Sequence, residues 1–449
     1  MPIRITFCQT GTIAILLSAI ALDTGRAAAQ DAVTLAESFR PGHSYKVDVR
    51  VTLAGRLAVT KEKGKPPQVV TIAGESRVVY DERVLAPDEG DSHKTVRAYR
   101  EVEFLRKIDS LSQDASIRPS VRRLVVTKAG PRKAPFSPDG PLTWGEIDVV
   151  RTDVFVPATV PGLLPTGAVK PGQTWKAADA AVAEITDMEK VEEGGLTVEF
   201  VGVTTVNNRK VARLRISGTV RGVNEDGPNR QKLDGTAYFD LDANVLIYLS
   251  LKATKELLDG TGQAGGSVEG RFTVTRTPLT SIPPDLSDAS LTGLKLQRSA
   301  ENTLLLYDNT DLGVRFLYPR GWRVGAVQGK QVTLDHARAG GGILITIDTA
   351  AKTPTPDAYA KEVAVYLGKE KAEVTNFDPP SSVRGSPALD RFRIDATFGK
   401  DKVRLDYYVL KQPDGGATMA VNLPAAAAAD LADDVDRITR SLSVTKKIE

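Results

Sequence analysis

Between Tyr45 and Leu53 the odd positions are apolar or aromatic: Tyr45, Val47, Val49, Val51 and Leu53. Lys46, Asp48, Arg50 and Thr52 take the even ones. A period of two places these sets on opposite faces of a strand. Similar runs predict strands at 69–72, 76–85, 94–108 and 121–128. A proline-rich stretch (Pro131, Pro135, Pro138, Pro141) then ends at Leu142-Thr143-Trp144, and 146–156 suits a short helix or strand. Strand patterning resumes at 175–185, 196–206, 210–220, 232–241, 245–255 and 266–277. Glu193-Gly194-Gly195, Asn207-Asn208 and Asp242-Ala243-Asn244 are expected to be hairpin turns. One packed face and one wet face per strand is the pattern of antiparallel sheet. The expectation is a large antiparallel β domain over 31–278. It forms either one curved sheet or half-barrel, or two halves near 31–145 and 146–278.

Prolines and serines (Pro278, Ser281, Pro283, Pro284, Ser287, Ser290) predict a linker over 279–299. Beyond it the pattern becomes mixed α/β, with short strands at 304–307, 313–318, 332–335 and 343–349. Thr355-Pro356-Asp357 combines an N-cap, a first-turn proline and an acid at the positive end of the helix dipole. A helix to Lys371 follows, then strands at 388–398, 402–411 and 417–423. A last helix opens at Pro424, with Leu431, Val435, Ile438 and Leu442 at helical spacing. This second domain spans 300–446.

The chain begins with Arg4, a short apolar run from Ile13 to Leu22, and Ala27-Ala28-Ala29 ahead of Gln30. That layout predicts a signal peptide over 1–29, too short to serve as a stop-transfer helix. The mature protein is expected to be exported, periplasmic or extracellular, with no transmembrane segment once the leader is removed. The single cysteine, Cys8, precedes the apolar run, so neither a lipid anchor nor a disulfide framework is expected. Basic residues number 59 against 56 acidic ones. Loss of Arg4, Asp23 and Arg26 with the leader leaves the balance near neutral, which disfavours a nucleic-acid partner.

Candidate chemistry is sparse. His43, His93 and His336 lie in separate segments, without zinc-ligand spacing. No G-x-S-x-G elbow is present. Gly340-Gly341-Gly342 lacks the Lys-Ser/Thr of a phosphate loop and reads as a hairpin. Asp240, Asp242 and Asn244 imitate the start of a calcium loop, but Val245 and Leu251 stand where glycine and glutamate belong. Glu101 and Glu103 read as a solvated strand face, as does the basic run Arg118, Arg122, Arg123, Lys128, Arg132 and Lys133. No catalytic, cofactor-binding or metal-ligating residue is assigned, and the chain is not expected to be an enzyme.

Asp308 to Arg323 reads D-N-T-D-L-G-V-R-F-L-Y-P-R-G-W-R. A glycine-led strand ending in a Y-P-x-x-W-type turn resembles the PsbP-like α/β sandwich family, and the order of later strands and helices matches it. The resemblance covers about 303–445. It implies a protein-binding module whose tryptophan, Trp322, closes the core. Leu164-Pro165, Val169–Trp175 and Gly235–Leu241 look like secreted bacterial β-proteins that resemble curved-sheet lipoprotein carriers. The leading expectation is a non-catalytic cell-envelope protein whose C-terminal domain binds an envelope protein partner. The alternative is a carrier of an apolar, lipid-like ligand in the β domain.

Overall fold

The computed structural model describes residues 32–59, 68–90, 93–129, 132–151, 162–224, 227–259 and 261–448. The leader and its cleavage site lie outside the described residues.

The first six strands are β1 (Ser44–Val59), β2 (Gln68–Leu85), β3 (His93–Ile108), β4 (Leu111–Asp114), β5 (Arg123–Ala129) and β6 (Arg132–Phe136). Then come a two-residue strand β7 (Leu142–Thr143) and helix α1 (Trp144–Arg151). β8 (Thr174–Lys176) and helix α2 (Asp179–Thr186) lead into a meander of β9 (Lys190–Val206), β10 (Arg209–Asn224), β11 (Gly227–Asp240), β12 (Val245–Leu258) and β13 (Ala264–Pro278). Twelve of these strands form one antiparallel sheet in the order β6-β5-β3-β2-β1-β13-β12-β11-β10-β9-β8, with β4 beside β3. The two candidate halves are therefore one sheet, joined where β1 pairs with β13, Tyr45 opposite Pro278 through Leu57 opposite Gly266. The sheet stays open, ending in the short strands β6 and β8.

Residues 175–185, expected as a strand, divide into β8 and α2. Asp179-Ala-Ala-Val-Ala-Glu-Ile-Thr is rich in helix formers, with Asp179 in the first turn. Ala181, Val182 and Ile185 are buried together on the face turned to the sheet. Pro135 sits within β6, where an edge strand tolerates a missing donor.

The 279–299 segment is seated on the outer face of the sheet. A 3-10 turn (Pro284–Leu286) and the short helix α3 (Asp288–Leu291) bring Leu286 and Leu291 into a cluster with Val96, Ala98, Val125 and Phe136. Arg83 donates to the Leu286 carbonyl at 2.8 Å and pairs with Asp288 at 2.7 Å. This explains why β3 is buried on both faces from Lys94 to Tyr99.

The C-terminal part contains β14 (Leu305–Asn309), β15 (Val314–Tyr318), β16 (Trp322–Gln328), β17 (Gln331–His336), β18 (Gly342–Asp348) and helix α4 (Pro356–Lys369). β19 (Glu373–Val383), β20 (Ser386–Phe398), β21 (Asp401–Gln412), β22 (Gly415–Pro424), helix α5 (Ala432–Ser441) and β23 (Ser443–Val444) complete it. A seven-stranded sheet runs β16-β17-β18-β22-β21-β20-β19, and a four-stranded one runs β23-β15-β14-β7. α4 buries Val363 and Leu367 in a cluster with Phe392, Ile394 and Tyr407. The final helix begins at Ala432 rather than at Pro424, which ends β22. β16 and β19 are strands that the hydrophobic pattern did not predict. Both are sheet edges, and β19 is exposed almost throughout. In the four-stranded sheet, β7 pairs in parallel with β14. The sheet thus draws on both parts of the chain.

Candidate functional site

The alternation in β1 continues in register across the large sheet. Val51 lies opposite Phe272 and Ser76, Phe272 opposite Leu251, Ser76 opposite Phe104, and Gly235 opposite both Leu251 and Ile216. Neighbouring rows carry Val49, Val78, Val274, Leu249, Ala237 and Leu214, and then Leu53, Ala253, Leu233 and Leu196. One largely apolar face therefore crosses strands β9 to β3, with Ser76 on β2 and Arg106 on β3 among its polar members.

Glycines on this face show which way the sheet bends. A Cβ on Gly55 would stand 2.2 Å from the Ser267 carbonyl oxygen, and one on Gly218 would stand 2.1 Å from that of Gly195. One on Gly235 would stand 2.3 Å from that of Ser250. Adjacent strands close in on this side, so the apolar face is the concave one, and glycine makes room for the bend.

Part of the concave face is covered. α2, Met188, Leu163, Ile117, Val121 and Leu35 pack on it in a single cluster with Val198, Ile216 and Leu249. Gln231 reaches from the sheet to donate to the Thr186 carbonyl at 2.8 Å. Toward the far ends of β1, β2, β3, β12 and β13 the cover thins. Val51, Leu53, Leu57, Ile72, Phe104, Ala253, Val268 and Phe272 keep partial exposure.

The opposite end of the face holds buried charge. Arg97 donates to Glu82 at 2.8 Å and stacks 4.6 Å over the Tyr80 ring. Arg276 donates to the Leu246 carbonyl at 3.2 Å and lies 5.4 Å over Phe39 and 5.8 Å over Tyr45. Glu37 accepts the Leu246 N–H at 3.1 Å. Burial raises the Glu37 pKa above the ordinary carboxylate value, with Arg276 acting against it. Burial also pushes the Tyr45 phenol up to about 12. Sequence reasoning missed this group, because its members come from four separate segments.

The residues singled out in the sequence fall elsewhere and stay apart. Glu101 is exposed on the convex face and pairs with Arg77, which also reaches Asp48 at 3.3 Å. Glu103 borders a shallow depression of about 600 Å³ beside β3. In the basic run, Arg118 grips Glu146 with two hydrogen bonds of 2.8 Å. Arg123 pairs with Asp139 at 2.7 Å, and Lys128 with Glu184 at 2.9 Å. The Arg132 and Lys133 side chains lie outside the described residues. Asp240 accepts the N–H groups of Asp242 and Ala243 at 3.0 and 2.9 Å, making the β11–β12 hairpin turn. Gly340 and Gly341 turn β17 into β18 with positive φ. His43 contacts Tyr45, His93 lies on β3, and His336 packs against Trp322 with ring centres 5.2 Å apart. Among the described residues no group of three histidine, cysteine or acidic side chains stands close enough to hold a metal ion. None of their helices is long and apolar enough to cross a membrane.

No protein-family model matches the chain, and no curated protein does. Several solved structures are similar to parts of it. Cyanobacterial PsbP (CyanoP) from Synechocystis sp. PCC 6803 is 18% identical, with 31% of this chain and 92% of that one covered and a TM-score of 0.26. DynF from the dynemicin biosynthesis pathway of Micromonospora chersina is 10% identical, with 58% and 90% covered and a TM-score of 0.15. OccAB2 of Acinetobacter baumannii is 8% identical, with 85% and 97% covered and a TM-score of 0.12. Likenesses this low carry no functional argument.

Proposed function

We propose that this is a binding protein rather than an enzyme, and that it holds the apolar chain of a lipid-like ligand against the concave face of the large sheet. The observation that carries the reading is the apolar band that crosses the sheet through Leu251, Phe272, Val51 and Phe104, covered toward one end and partly exposed toward the other. A chain of about ten methylenes laid along Leu53, Phe104 and Phe272 would remove on the order of 8 kcal/mol of apolar exposure. Association and ordering costs reduce that gain, leaving binding that is reversible, as a carrier needs. The exported location expected from the leader fits a protein that shields acyl chains from water.

A second reading assigns partner binding to the C-terminal part. β19 is an edge strand, and Val374 and Phe377 stay about half exposed beside α4, which exposes Tyr366. Such an edge can accept a partner strand up to Pro379-Pro380, which interrupts pairing.

Displacement of N-phenyl-1-naphthylamine by palmitate tests the first reading on the full chain. Wild type should bind the dye and release it to palmitate, and Phe272→Glu should lose most of that signal while keeping its circular dichroism. Dye binding that Phe272→Glu leaves unchanged would reject the concave face as the site.

A further inference from the structure

A cleft lies where the two parts of the chain meet, and unlike the apolar band around Phe272 it is lined by several charged side chains. It has a volume of about 730 Å³, the size of a small-ligand site. Trp144 and Tyr307 line it with aromatic surface, Arg106 and Arg323 with donors and Asp308 with an acceptor, beside Asp148 and Asp187.

Trp144 is the anomaly that points to a ligand. Trp322 is fully buried and Trp175 is half-buried, with its indole N–H donating to the Leu163 carbonyl at 2.8 Å. Trp144 alone of the three is exposed, at 40%. Its backbone is nevertheless held firmly. The Thr143 hydroxyl accepts the Glu146 N–H at 3.2 Å, and the Glu146 carboxylate accepts the Thr143 N–H at 2.8 Å, a reciprocal capping box. Arg118 clamps the same carboxylate, and β7 is stitched to β14 just before it. A large aromatic ring on a fixed turn is a platform prepared in advance, which lowers the ordering cost of binding.

We propose that this cleft binds a neutral saccharide, with a sugar ring stacked on Trp144 and its hydroxyls shared between the arginines and the aspartates. Both cations and carboxylates line the cleft. A polyanion would face the carboxylates, and a polycation would face Arg106 and Arg323. An acyl chain would strip water from five charged groups without replacing their hydrogen bonds. A sugar hydroxyl both donates and accepts, so it can satisfy guanidinium and carboxylate at once. Arg323, exposed and holding no ion pair among the described residues, is the donor most available to a ligand.

Calorimetry and tryptophan fluorescence on the full chain test this, with chitotriose and maltotriose as probes up to about 10 mM. At least one should bind saturably and shift the emission. Trp144→Ala and Arg323→Ala should each weaken binding roughly tenfold or more, a step of about 1.4 kcal/mol, with the melting temperature of Arg323→Ala unchanged. Absence of saturable binding by either sugar would overturn the proposal. So would binding that neither variant alters, or saturable binding of spermidine or inorganic phosphate that Trp144→Ala abolishes while the sugars fail.

Discussion

The bend of the large sheet rests on glycines, and Gly218→Ala tests it. Gly218 lies on β10 facing the concave side. An added Cβ would stand 2.1 Å from the Gly195 carbonyl oxygen and 3.1 Å from the Leu196 Cα, both backbone atoms of the paired strand. Neither atom can swing aside as a side chain would. The two strands must separate by about an ångström or the bend must relax, and overpacking of this kind costs roughly 1–3 kcal/mol. Loss of unfolded-state freedom on replacing glycine returns about 0.4–1 kcal/mol. Taking the middle of each range, the expected net loss is about 1.3 kcal/mol. Gly195→Ala is the internal control. Nothing lies within 4 Å of its added Cβ, and its φ is not positive, so it should gain about 0.4–1 kcal/mol. Urea unfolding followed by tryptophan fluorescence reads both, because Trp175 on β8 pairs with Val198 on β9 beside this site. If Gly218→Ala is as stable as wild type, the crowding that defines the concave face is not real and the binding surface loses its basis.

Trp322→Ala should cost roughly 3–5 kcal/mol in the same assay, since the ring is fully buried and its indole N–H reaches Asp434 at 3.1 Å. A loss under about 1 kcal/mol would place the ring at the surface. Leu286→Ala should cost about 2–5 kcal/mol, because the 279–299 segment anchors through this side chain; an unchanged midpoint would mean that the segment is a free tether. Alkaline pH should destabilise the protein. Burial pushes the Tyr45 and Tyr318 phenols up to about 12. The folded state thus keeps protons that the unfolded chain releases near pH 10, and stability falls as pH rises through that interval. A melting temperature that stays flat from about pH 8 to pH 11 would contradict this. The acid limb has the opposite sign for Glu146 and Asp240. Hydrogen bonds from Arg118, from Arg209 and from backbone N–H groups hold both pKa values below the ordinary range despite burial. Stability should be lost as they protonate.

Local patterning made much of the β architecture legible. The alternation Tyr45-Val47-Val49-Val51-Leu53 sets which face of β1 packs, because successive side chains point to opposite sides. Hairpin residues such as Asn207-Asn208 set where strands reverse, since both adopt positive φ. Thr355-Pro356-Asp357 marked the start of α4, where the Thr355 side chain accepts the Ala358 N–H. The pattern does not reveal α2 because Val182, Ile185 and Thr186 bring strand propensity to a segment of eight residues, too short for a helical period to show. Its helical form comes with burial of one face on β9. β16 and β19 carry no strong alternation, because each is a sheet edge: β19 is exposed almost throughout and β16 buries chiefly Trp322.

The sequence by itself determined the strand-rich N-terminal region, the mixed pattern after residue 300 and the lack of any local metal or nucleophile motif, all consequences of short-range spacing. Only the tertiary structure decided that the two β stretches form one sheet, that this sheet bends toward its apolar face, and that the proline-rich segment is docked on it. It alone brought Glu37, Glu82, Arg97 and Arg276 into one group, and placed Trp144 in the lining of a cleft shared by both parts of the chain. Those outcomes depend on pairings between residues far apart in sequence, such as Val51 with Phe272 or Leu142 with Leu305. Such contacts leave no periodic trace in the chain, because their partners are selected by the closing of the fold.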